Sequence, residues 1–173
     1  MLGFKWKNII TDVIKFDTKK LELRDILFGI VFGFIPLIIN PYFFYPFLTS
    51  FPYWINNLYY FLKIPFSAAI VAAFFEEIIY RGFYYSYIKG VINGLSEFNN
   101  KDYFNFSLLI LIPSTTFAIM HYPKLGYGGL LLMFFGGVFF TLIRHKTNRI
   151  IPCIISHFIY NIILFMSVRG IHL

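Results

Sequence analysis

The stretch AFFEEIIYRGF, residues 73–83, sets two adjacent carboxylates and an arginine inside a long apolar run. A charged side chain near the centre of a bilayer costs about 2.5–3.5 kcal/mol on insertion scales, so such residues face a bundle interior, find partners and mark function. On an α-helix Glu77 and Arg81 stand four residues apart on one face, where they pair. Glu76 points about 100° away from that pair, with Tyr80 one turn below it. The pair suits a structural lock between helices. The carboxylate without a cation beside it suits a general base.

The surroundings make the membrane setting plain. Of 173 residues, 58% are hydrophobic and 13% charged, and 24 are phenylalanine, a profile outside that of soluble domains. Residues 26–48 carry no charge and read as a first transmembrane helix, interrupted by Pro36 and ended near Asn40-Pro41 or Pro46. Residues 42–57, rich in Phe, Tyr and Pro with Trp54, read as an aromatic belt or a short re-entrant piece. A second helix starts at about 58 or 66 and runs to about 92, and residues 93–104 form a polar loop. Further helices are predicted over about 105–121, 126–143 and 150–168. The expected fold is all-α, a polytopic membrane bundle of about five transmembrane helices, with residues 1–25 as a cytoplasmic N-terminal segment and 26–173 as one transmembrane domain.

The net charge of +7 does not indicate nucleic acid, because the basic residues lie between apolar runs and form no continuous stripe. Eleven of the fifteen fall on one side of the predicted spans, among them Arg144, Lys146 and Arg149, which puts the N-terminus in the cytoplasm. An integral, multi-pass protein of the plasma membrane is expected, its first span retained because no cleavable signal precedes it. The single cysteine, Cys153, reads as an apolar filler. The glycine pairs 128–129 and 136–137 recur eight residues apart and mark a face for close helix packing.

Of the four histidines, His145 and His172 lie in polar or terminal surroundings and are expected to be solvated. His121 ends span three, whereas His157 lies inside span five with Asn161 one turn on and on the same face. Polar residues on three spans can thus converge on one buried site. Glu76, helped by His121, would take a proton from water while His157 and the Asn161 amide stabilise an oxyanion, which splits a peptide bond without cofactor. The competing arrangement makes Glu76, His121 and His157 a His₂Glu zinc site. A carboxamide suits an oxyanion hole better than a zinc shell, which favours the metal-free version.

The order EEIIYRG, FAIMH, HFIYN resembles the EExxxR, FxxxH and HxxxN motifs of the CAAX prenyl protease and bacteriocin-processing (CPBP) family of intramembrane proteases. The resemblance covers about 65–168 and takes in Glu76, Glu77, Arg81, Phe117, His121, His157 and Asn161. It implies an intramembrane endopeptidase with Glu76 as base, His121 as its partner, His157 and Asn161 at the oxyanion, and Glu77 and Arg81 in support; Tyr80 and Phe117 are grouped with these. It implies a peptide or membrane-associated protein as substrate, lipidated tails or bacteriocin precursors among them, with the lipid bilayer as surroundings and zinc as the alternative cofactor. A non-catalytic binding or immunity protein, and a small transporter with Glu76 carrying the proton, are the other readings of the same cluster. One expectation sits badly with convergence. Counted from the helix starts at 1.5 Å per residue, His157 lies about 10 Å and His121 about 24 Å from the cytoplasmic face. They meet only if span three starts deeper, tilts, or is displaced by Pro113.

Overall fold

A computed structural model describes residues 22–39, 66–96 and 102–169. The expected aromatic belt, the later part of the first predicted span, the N-terminal segment before residue 22 and His172 lie outside these. Helix α1 spans Leu23–Ile39 and runs on through Pro36 without the interruption expected there. Helix α2, Ser67–Glu77, continues through a π-helical segment, Ile78–Tyr84, into α3, Tyr85–Ser96. Helix α4 spans Asp102–Thr147 and α5 spans Ile151–Arg169.

Helix α4 is two rods joined at a break. Gly126 adopts φ 61° and ψ −162°, a left-handed backbone that an L side chain resists, and Pro123 shortly before it removes a ladder donor. This is where the sequence separated spans three and four. The halves, Asp102–Pro123 and Gly129–Thr147, are both long and apolar enough to cross a bilayer. Only about a third of each is buried, and Leu111, Ile119, Met120, Leu131 and Phe135 turn outward. A core helix of a soluble domain buries such residues; here, and on α1 and α2 with Val31, Phe34, Val71 and Phe75 outward, an apolar surface faces the surroundings. The all-α bundle expected from sequence is what the chain forms.

Close packing sets the helix positions. The α4 halves run antiparallel, with Phe106 against His145 at one end and Ser114 against Thr141 further along. A Cβ on Gly137 would stand 3.0 Å from the Ser114 Cα, so the small residue expected on this face does admit a neighbouring backbone. Helix α1 lies along α5 through a second pair of glycines that the sequence reading passed over. A Cβ on Gly29 or Gly33 would come within 2.8 or 2.7 Å of the Ile155 or Ile159 Cβ, a GxxxG contact.

The turn from α4 to α5, residues 148–150, corrects the reading of the basic residues there. Arg144 and Arg149 are not loop cations in solvent; both are buried. Arg149 pairs with the fully buried Asp25 at the start of α1, which ties α1 to the entry of α5. Asn148 takes a left-handed backbone, φ 53°, and accepts from Arg144. His145 is exposed as expected, yet it has a partner in the Tyr85 hydroxyl at 3.1 Å. Cys153 is fully buried, as a filler should be.

Candidate active site

The two neighbouring glutamates occupy different worlds. Glu77 is fully buried, and its Oε1 accepts from Arg81 Nη1 at 2.9 Å and from His157 Nδ1 at 2.7 Å. The predicted i,i+4 pair is therefore present, and it carries a second donor that sequence spacing did not reveal. Arg81, itself fully buried, also donates from Nη2 to the Gly137 carbonyl at 3.2 Å, and its guanidinium lies over the rings of Phe117 and Phe140 at 4.5 and 5.2 Å. The lock expected of Glu77 and Arg81 thus joins α2, α4 and α5.

Glu76 is outside that lock. Its side chain is 30% exposed, and its Oε2 stands 3.4 Å from His121 Nε2 and 3.7 Å from His157 Nε2, with no well-formed hydrogen bond among the described residues. Both imidazoles are oriented from behind. The Phe117 carbonyl can only accept, so His121 Nδ1–H donates to it at 2.8 Å; likewise His157 Nδ1–H donates to the Glu77 carboxylate. Each ring is left presenting Nε2 toward Glu76.

The expected difference in depth between the histidines is overturned. His121 sits one turn beyond Phe117 and its ring folds back onto that residue's carbonyl, toward the preceding turn, as helical side chains do. Phe117 bridges the rest of the gap, with its ring 4.5 Å from the His121 ring and 5.7 Å from that of His157. Counting residues from helix starts missed this because it assumed parallel, untilted rods.

Asn161 lies half-buried on α5, one turn past His157 on the same side of the helix. Tyr80 packs edge-on against Phe117 at 5.1 Å, which makes it part of the wall behind the glutamates. Phe140 was not singled out by sequence. It stacks on His157 at 4.8 Å with planes 22° apart and takes Tyr160 edge-on from its other neighbour side. Among 24 phenylalanines nothing local marks it.

Glu76, His121 and His157 have the donor types of a His₂Glu zinc site. Among the described residues, however, no group of three such side chains closes to where it could hold an ion. What the arrangement offers by itself is a partly exposed carboxylate, two imidazole Nε2 atoms converging on it, and a buried ion pair that orients one of them.

A family model described as type II CAAX prenyl endopeptidase Rce1-like matches residues 59–163, more than half of the 173-residue chain. That stretch contains all three motifs. No curated protein and no solved structure matches the chain significantly.

Proposed function

The chain belongs to the type II CAAX prenyl endopeptidase Rce1-like family, and from that premise we infer that Glu76 is the general base of a membrane-embedded CAAX-type endopeptidase. The observation that carries the assignment is the contrast between the glutamates: one locked in an ion pair, the other accessible and held between two imidazoles. A water bound at the Glu76 carboxylate gives up a proton to it as the oxygen attacks the scissile carbonyl carbon. His121 Nε2, with its lone pair facing the same point, accepts the second hydrogen of that water and aligns it. The proton on Glu76 then passes to the leaving amine when the tetrahedral intermediate collapses.

His157 serves the carbonyl oxygen. To donate from Nε2 it carries protons on both nitrogens, and the Glu77 carboxylate on Nδ1 balances that charge as it develops. The Asn161 amide, one turn along, supplies the second donor. Phe140 and Phe117 exclude water from the faces of His157, which strengthens these bonds. The substrate class to test first is the one the family name gives, a prenylated CAAX tail, presented from the cytoplasmic face on which the basic residues concentrate.

Glu76→Gln keeps the shape and removes the base. In liposomes carrying purified protein and a farnesylated CAAX peptide with a quenched fluorophore, it should lose at least about 100-fold in rate while unfolding at the wild-type temperature. Cleavage at the wild-type rate by this variant would refute the assignment, and would leave the cluster as a structural device of a non-catalytic membrane protein.

A further inference from the structure

Immediately after the two glutamates the helix widens. The Tyr85 N–H bonds to the Tyr80 carbonyl five residues back, whereas the Ile78 N–H still reaches Phe74, four back. A π-segment accommodates one extra residue in the turn and is costly enough that something outside the helix normally holds it. Its consequence here is angular. Closing Ile78–Tyr84 to an ordinary α-turn would rotate Glu76 and Glu77 by about 100° relative to the face of α3 formed by Tyr85, Ile88 and Ile92, which packs against Leu109 of α4.

One side chain reaches into that widened turn from another helix. Arg144, buried near the end of α4, donates from Nε to the Arg81 carbonyl at 3.1 Å. Its guanidinium lies over the Tyr85 ring at 5.6 Å, and its Nη1 donates to Asn148 Oδ1 at 3.4 Å in the left-handed residue that ends α4. Tyr85 is in turn fixed by His145, the residue after Arg144. The segment's register is thus gripped at Arg81 and at Tyr85 from the same turn of α4.

We propose that Arg144 is a positioning residue for the reaction: by holding the Arg81 carbonyl it maintains the π-turn that aims Glu76 between the histidines and Glu77 at His157. The proposal rests on the reading of Glu76 as base, but its primary test does not. Hydrogen exchange of the amides of residues 78–86 is measured in purified wild-type protein, in Arg144→Met, which keeps the buried stem and loses every donor, and in Asn148→Gly, which keeps the exposed left-handed turn and loses the anchor of Nη1. Exchange in that segment should rise about tenfold in Arg144→Met and about two- to threefold in Asn148→Gly, with exchange over the rest of α4 unchanged.

On the farnesylated CAAX peptide the same two variants should lose turnover in the same order, by about tenfold for Arg144→Met, with KM within about a factor of two. Arg144→Lys, which retains a donor at reduced reach, should recover part of both losses. Exchange of residues 78–86 at the wild-type rate in Arg144→Met, or, if that variant does not accumulate, in Asn148→Gly, overturns the proposal. A wild-type protein that does not cleave the peptide, but whose segment loosens in these variants, overturns the choice of a farnesylated tail as substrate and leaves the hold of Arg144 on the π-turn standing.

Discussion

Replacing Glu77 by glutamine separates charge from shape in the buried lock. The amide oxygen can take the place of Oε1 and still accept from Arg81 and His157. The amide nitrogen falls where Oε2 is now, an atom with no hydrogen-bond partner among the described residues, so no donor meets a donor. What disappears is the negative charge opposite a guanidinium that is fully buried. Opposite unit charges about 4 Å apart attract by about 4 kcal/mol at an effective dielectric constant near 20, and breaking a buried pair costs about 3–5 kcal/mol. We expect Glu77→Gln to destabilise by about 3 kcal/mol, which for a chain of this size is roughly 6–12 °C in Tm. Arg81→Met should cost about as much, since it strands the carboxylate instead. The double variant should recover about 2 kcal/mol or more relative to the sum, because a neutral pair of similar volume is often no less stable than the ion pair it replaces. Cys153, the one thiol in the chain and fully buried, provides the assay: a thiol-reactive dye reports its exposure during a thermal ramp in detergent. Coupling below about 0.5 kcal/mol in this cycle would show that the lock is no more than a surface-grade contact, and the argument that it joins the three helices and orients His157 would fail.

Gly33→Leu should push α1 off α5, since the first added carbon already falls 2.7 Å from the Ile159 Cβ; we expect a loss of about 1–3 kcal/mol, read by the same dye, and wild-type stability would contradict the packing. Arg149→Met strands the buried Asp25 carboxylate and should destabilise by about 3 kcal/mol, whereas Asp25→Asn with Arg149→Met together should recover most of it. Phe140→Leu removes the ring stacked on His157 and should lower turnover by about tenfold with little change in KM, a loss of about 1 kcal/mol of aromatic contact at the oxyanion side; unchanged turnover would mean that His157 needs no support there. Treatment with a strong zinc chelator should leave cleavage by the purified protein unchanged, and a loss restored by added zinc would transfer Glu76, His121 and His157 to the roles of metal ligands.

Sequence spacing revealed what local geometry fixes. Glu77 and Arg81 paired because i and i+4 meet on any helix, and Glu76 stood apart from them for the same reason. The break near Gly126 was legible from Pro and Gly chemistry. What was not legible depends on how helices cross. The approach of His121 to Glu76 follows from the packing of α4 against the π-segment and from a ring folded back on its own turn, neither of which a residue count contains. The second donor to Glu77, His157, sits 80 residues away and could be found only by packing α5 against α2. No pattern announces a π-turn, and an arginine that braces one is indistinguishable in sequence from an arginine that sets topology. The glycines at 29 and 33 are a different case, because their spacing was a readable signal and was overlooked.

The contacts of Phe117 explain why the aromatic stands four positions before the histidine in FAIMH. The carbonyl one helical turn back accepts from the imidazole, and it dictates which nitrogen keeps its hydrogen. The phenyl group on the same residue is meanwhile wedged against Arg81 and His157. A sequence that moved the aromatic by one position would keep that backbone acceptor, which any residue at 117 supplies, but would strip one ring at once from the His121 imidazole, the guanidinium and His157, so the motif behaves as one part with two ends.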